Sequence, residues 1–190
     1  MKYASLICLL FLLAGCDLFR TRDPQIPDQP RSNYQQAVTP DLLIQNLINS
    51  MVDKNLQNYR SCFADSSFTN KNYLFTPSSS AASLYPAFTG NFDKDHEKQF
   101  FTNLISKIPS NLQMTVVFSN PISSQQGDSL IYTASYTLNI PFTDASIPST
   151  YQGDLKYYMI NSQLVWSIYF WQDIKTTNDL SWSDLKGRLY

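Results

Sequence analysis

Between residues 112 and 173 apolar side chains recur at every second position, and that period constrains the second half of this chain to β-structure. Leu112, Met114, Val116 and Phe118 form one series, and Leu130, Tyr132, Ala134, Tyr136 and Leu138 form another after a Gly127-Asp128 turn signal. Two more strands are expected over residues 151–160 and 163–173, joined by a tight turn near Asn161-Ser162. Strands that follow one another through short connections pair with their sequence neighbours, so the four make an antiparallel meander.

Upstream the period is helical. Thr39-Pro40-Asp41 combines a capping hydroxyl, a proline that suits the first helical position and an acid at the positive helix end. Leu43, Leu47 and Met51, flanked by Ile44 and Ile48, then supply one buried face. A second short helix is expected from about Asp53, with Leu56, Tyr59 and Phe63 inward. A third is expected over residues 93–108, capped by Asp93, buried through Phe100, Phe101, Leu104, Ile105 and Ile108, and ended by Pro109. Phe68 and Tyr73 to Phe75 read as a short strand or strand pair. Residues 77–90, with serines, two prolines and a glycine, read as a long loop. This order gives an α+β fold with three N-terminal helices packed on one face of a curved, mostly antiparallel sheet rich in aromatic side chains.

The N-terminus carries a different signal. Lys2, the apolar stretch from Leu6 to Leu13 and the tetrapeptide Leu13-Ala14-Gly15-Cys16 resemble a bacterial lipoprotein signal peptide ending in a lipobox. On this reading residues 1–15 are removed and Cys16 is lipidated, carrying a thioether-linked diacylglycerol and an N-acyl chain such as palmitate. Two such attachments exceed what stable anchoring needs. Residues 16–38 intersperse Pro24, Pro27 and Pro30 with charges and glutamines and read as a flexible tether, with a single domain over residues 39–190. The chain has 14 basic and 15 acidic residues; loss of Lys2 leaves 13 against 15, a net charge of −2. Without a cluster of Lys and Arg, nucleic acid is not an expected partner. The expected location is the bacterial cell envelope, at a membrane.

Cysteine usage agrees with export. With Cys8 removed and Cys16 acylated, only Cys62 remains, so no intramolecular disulfide forms and the core must hold the domain together. Between Tyr59 and Phe63, Cys62 reads as a small buried hydrophobe. Neither a metal site nor a cofactor motif is expected.

The element order over roughly residues 39 to 175 resembles the nuclear transport factor 2-like superfamily, in which a strongly curved sheet wraps three helices into a cone with a cavity. Two tracts resemble uncharacterised bacterial lipoproteins carrying this domain. One is Glu97 leading into Phe100-Phe101-Thr102-Asn103-Leu104; the other is Trp166-Ser167-Ile168-Tyr169-Phe170-Trp171-Gln172-Asp173 followed by Ser181-Trp182-Ser183-Asp184-Leu185-Lys186. The resemblance implies a cone whose enzymatic members place Asp, Tyr or His inside it, and subunits that pair through the sheet face.

Measured against that pattern, the candidates are few. The only histidine, His96, lies in Asp93-Lys94-Asp95-His96-Glu97, which reads as the solvated, capped first turn of a helix. The strand acids Asp128, Asp154 and Asp173 fall near expected strand ends, so no catalytic residue is assigned. Tyr132, Tyr136, Tyr158, Trp166 and Trp171 are the candidates to line a ligand cavity. Residues 181–185 read as one helical turn with Trp182 and Leu185 closing the end of the barrel. Three functions fit: a non-catalytic domain binding a small apolar ligand or an envelope protein, a small lyase or isomerase using a polar site in the cone, and a structural subunit, a homodimer through the sheet face among its forms.

Overall fold

The computed structural model describes residues 33–176 and 179–190; the signal, Cys16 and the tether up to Ser32 lie outside the described residues. Helix α1 (Pro40–Val52) starts as its cap dictates, the Leu42 amide donating to Thr39 Oγ1 at 3.2 Å. Its buried Asn46 accepts from the Gln35 amide and donates to the Gln35 carbonyl, and Ala37 is fully buried. Residues 33–38, read from composition as the end of a tether, thus pack against the domain. Helix α2 (Leu56–Ser61) is capped by Asn55. Between the two helices Lys54 sits at φ 52° and donates to the carbonyls of Pro109, Ser110 and Leu112, pinning this corner to the end of a later helix.

Strand β1 (Leu74–Thr76) follows, then the segment expected to be a loop. It is instead a short helix α3 (Ser79–Leu84) and a 3-10 turn (Pro86–Phe88), followed by a two-residue strand β2 (Phe92–Asp93). Helix α4 (Lys94–Ser106) is the third helix anticipated from the period, capped by Asp93, which accepts from the amides of Asp95 and His96 at 3.0 and 3.1 Å. The meander is β3 (Thr115–Gln126), β4 (Ser129–Asn139), β5 (Thr150–Ser162) and β6 (Val165–Ile174), and helix α5 (Trp182–Leu189) ends the chain. The described residues therefore form five helices, two more than the three expected at the N-terminal side, and these two come from segments whose composition is serine-rich or charged.

The six strands lie in the order β2-β1-β6-β5-β4-β3, antiparallel except where β1 joins β6. The expected turn near Asn161-Ser162 falls two residues later, at Gln163 and Leu164, both at positive φ (51° and 65°). Strand β3 runs well past Phe118 because its second half pairs with β4 while exposing both faces, which leaves no alternation to read. This outer edge is interrupted by a register shift between Ser119 and Ile122, with Pro121 inside it, a usual defence against edge-to-edge association.

The inner face of the sheet is a lattice of aromatic rings. Tyr132, Tyr157 and Trp171 stand directly across from one another on β4, β5 and β6, with ring centroids 6.2 and 5.1 Å apart. Leu43, Leu47 and Met51 of α1, Tyr59 of α2 and Phe100, Phe101 and Leu104 of α4 close over this face. Tyr59 and Phe101 stack at 3.9 Å. Cys62 lies fully buried among them and its thiol donates to the Asn58 carbonyl.

Candidate functional site

Helix α4 places Glu97 three and four residues before Phe100 and Phe101, on the stripe that faces the sheet rather than on the solvated first turn its charged neighbours suggest. Helix α5 does the same for Lys186, which shares its buried stripe with Trp182, Leu185 and Leu189. The two side chains meet at the centre of the molecule, with the Lys186 ammonium 2.6 Å from each Glu97 carboxylate oxygen and neither residue exposed to solvent. Tyr59 donates its hydroxyl to Glu97 Oε1 and Tyr73 donates to Oε2 at 3.1 Å. The ammonium also lies against the faces of Phe75 and Trp171, 3.7 and 3.8 Å from the ring centroids. A buried charge survives only when paired and hydrogen-bonded, and here one carboxylate has three donors while the cation has its counter-ion and two π faces.

A second carboxylate anchors the entry to α5. Asp173 accepts from the Tyr136 hydroxyl at 2.6 Å, from the Ser183 amide at 2.8 Å and from the Ser183 hydroxyl. The Tyr136 oxygen in turn accepts from the Trp182 amide at 2.7 Å, so two side chains of the sheet satisfy two amides at the start of the helix. Gly153, opposite Tyr136, makes this reach feasible, because a Cβ there would lie 2.8 Å from the tyrosine hydroxyl. Asp184 accepts from the Ser181 amide at 2.9 Å and pairs with Lys175 at 3.0 Å. At the other end, Asn103 of α4 donates to the Leu189 carbonyl at 2.7 Å.

The result is a cone whose interior holds two carboxylate–tyrosine pairs, both covered by the chain's own last helix. Asp173 does fall near the end of its strand, and it is nevertheless buried and bonded to Tyr136. Three of the cavity candidates, Tyr132, Tyr136 and Trp171, do face inward, where they pack against other side chains. Tyr158 stands on the opposite face of β5 with Tyr169 and Phe170, 6.2 and 5.3 Å away between centroids. Trp166 is buried at the start of β6. It underlies a cleft of about 550 Å³ that opens between α2 and the β5–β6 turn, walled also by Arg60, Phe63, Phe68, Lys94 and Val165. His96 remains at the helix end, its Nδ1 2.7 Å from Asp93 and its ring stacked on Tyr190. Residues 181–185 do close the cone, as part of an eight-residue helix rather than a single turn.

Burial sets the electrostatics. Loss of hydration pushes the Lys186 ammonium down to about 8 against the pull of Glu97, so it stays protonated at neutral pH. Burial first and the Glu97 charge second hold the Tyr59 and Tyr73 hydroxyls well above the usual phenol range, and burial does the same for Tyr157 and Tyr136. Burial also pushes up the Cys62 thiol, which is consequently unreactive.

No family model and no curated protein matches the sequence. Solved structures do. A nuclear transport factor 2-like protein from Cytophaga hutchinsonii superposes with a TM-score of 0.51 at 10% identity, over 70% of this chain and 93% of its own. A candidate scytalone dehydratase from Novosphingobium aromaticivorans gives 0.56 at 7% identity, over 74% and 88%. A candidate aromatic ring hydroxylase from the same organism gives 0.55 at 10% identity, over 76% and 91%. The fold of this chain is thus nuclear transport factor 2-like, a similarity of architecture at identities that carry nothing about activity.

Two predictions follow from the ion pair. Lys186→Met leaves Glu97 buried without its cation and should lower stability to urea by about 3 to 5 kcal/mol; Glu97→Gln should cost a similar amount, and Glu97→Gln with Lys186→Met distinctly less than the sum. Additive losses in that double-mutant cycle would remove the pairing. The second concerns pH. Above about 8 the folded chain has released the Lys186 proton that the unfolded chain keeps to 10.5, so this group stabilises the fold as pH rises through that window. The buried tyrosines act oppositely, because their folded forms keep protons the unfolded chain releases above about pH 10. Urea midpoints should therefore hold or rise between about pH 8 and 10 and fall steeply beyond, together with a late, cooperative phenolate absorbance from the buried tyrosines.

Proposed function

We propose that this chain is a bacterial envelope lipoprotein, held to a membrane through acylated Cys16, whose domain is a non-catalytic binding module that works from its outer surface. The observation supporting the non-catalytic part is the occupancy of the cone. The position where a substrate would meet Glu97, Tyr59 and Tyr73 is taken by Lys186, and both carboxylate oxygens are already bonded. A general base must reach the proton it removes, and this one is engaged inside its own molecule. The outer surface, in contrast, offers an open cleft above Trp166 and a row of part-buried aromatic side chains at Tyr158, Tyr169 and Phe170.

A second reading has its own support. Carboxylate–tyrosine pairs inside a cone are the equipment of a lyase or isomerase, and structural neighbours include the candidate dehydratase and hydroxylase. In that reading Glu97 or Asp173 is the base, the tyrosine hydroxyls stabilise a developing oxyanion, and α5 withdraws to admit substrate.

The expected outcome in cells expressing the full chain is incorporation of labelled palmitate and recovery in the membrane fraction, both lost in Cys16→Ser. Cytoplasmic, unacylated wild-type protein would contradict the anchor. The purified domain should show no dehydration of hydroxylated aromatic substrates above the buffer rate. Turnover that disappears in Glu97→Gln would transfer the assignment to the second reading.

A further inference from the structure

Two of the most exposed apolar side chains in the described region lie on two loops that are joined by a hydrogen bond. Phe68, on the loop after α2, is 75% exposed, and Leu164, at the tip of the β5–β6 turn, is 77% exposed. The two loops are bridged by a hydrogen bond from the Ser162 hydroxyl to the Phe68 carbonyl at 2.9 Å, which ties the loop after α2 to the β5–β6 turn. Neither side chain belongs to the buried core. Leu164 occupies a turn position at φ 65°, next to Gln163 at 51°, where Asn and Gly are the residues that relieve backbone strain. A leucine at such a place, pointing into water, departs from what stability favours, and such departures mark functional positions.

The N-terminal segment joins the domain at this same end. The Trp166 amide donates to the Ala37 carbonyl at 2.8 Å, and Gln36 lines the cleft beneath Phe68 together with Gln163. Residues 17–32 separate Cys16 from Asn33, whose side-chain amide donates to Asp53 at 3.3 Å, and three residues later Gln36 reaches the cleft that Phe68 walls. Among the neighbouring charges, Lys94 is paired with Asp65 and Arg60 with Asp95, which leaves the two apolar tips as the dominant feature of this rim.

We propose that the Phe68–Leu164 end is a bilayer-contact surface, its two apolar tips entering the interfacial region of the membrane that anchors the chain. The proposal rests on the anchored reading above. Partial insertion of exposed aromatic and aliphatic side chains into the headgroup boundary is favourable in proportion to the apolar area covered, and a tether raises the local concentration of the surface.

The test uses the chain from Asp17, which contains the whole described domain, held to phosphatidylethanolamine/phosphatidylglycerol vesicles by an N-terminal histidine tag on nickel-chelating lipid. Acylation of Cys16 is thereby replaced, so failure of the anchor and failure of the contact are read separately. With Cys62 buried and unreactive, Leu164→Cys carries the only reactive thiol and takes an environment-sensitive dye; Ile122→Cys, 70% exposed on β3, is the control. The dye at position 164 should shift to the blue and brighten on vesicles, less so when Phe68→Ser is added, while the dye at 122 emits as in water. Emission at 164 unchanged by vesicles overturns the proposal. A shift that appears without vesicles as protein concentration rises also overturns it, since the tips would then be meeting a second copy.

Discussion

A lysine and a glutamate 89 residues apart in sequence, brought together with both side chains fully buried, are the condition on which the rest of this structure depends. Separating them inside the protein would leave a bare charge in a medium that solvates it poorly. Helix α5 therefore cannot leave the cone without carrying a cation out and stranding a carboxylate. The helix is docked by this single pair at its centre, by Asp173 and Tyr136 at its start and by Asn103 at its end.

The other features of the interior follow from that occupancy. Phe75 and Trp171 turn their faces to the Lys186 ammonium, where ring quadrupoles replace part of the lost hydration. Tyr59 and Tyr73 donate to the carboxylate and so lend polar groups to a site otherwise lined by hydrocarbon. Two glycines make the close approaches: Gly153 leaves room for the Tyr136 hydroxyl, and Gly187 in the middle of α5 receives the Tyr85 ring where any Cβ would overlap it. The short helix α3 belongs to the same assembly, since the Ser78 amide donates to the Ser183 hydroxyl at 2.9 Å.

How much of this could be read from the chain depends on the range over which each feature is determined. The caps at Thr39 and Asp93 and the alternation in β4, β5 and β6 are local, and they lie where the residues put them. Helix α3 has neither a strong apolar stripe nor a capping hydrogen bond, and contacts with α5 supply what propensity does not. Glu97 and Lys186 were legible only in part. Each sits at helical spacing from buried neighbours, a signal that outweighs residue type, but residue type reads a charge among charges as solvated. Their partnership, and that of Asp173 with Tyr136, is a product of topology. Adjacent tyrosines leave the facing of the pair open until the register is known, and the alternation of β5 puts Tyr157 inside and turns Tyr158 outward.

The central claim is that the cone is sealed by its own C-terminal helix, and native-state hydrogen exchange of the α5 backbone tests it most directly. The Leu185 amide, bonded to the Ser181 carbonyl, and the Tyr190 amide, bonded to the Lys186 carbonyl, report the two ends of the helix. If the account holds, Leu185 exchanges only through global unfolding, with the same free energy and denaturant dependence as the core of β5. Exchange of Leu185 through a low-energy opening that leaves β5 protected would contradict it and describe a helix that leaves the cone while the fold stays intact.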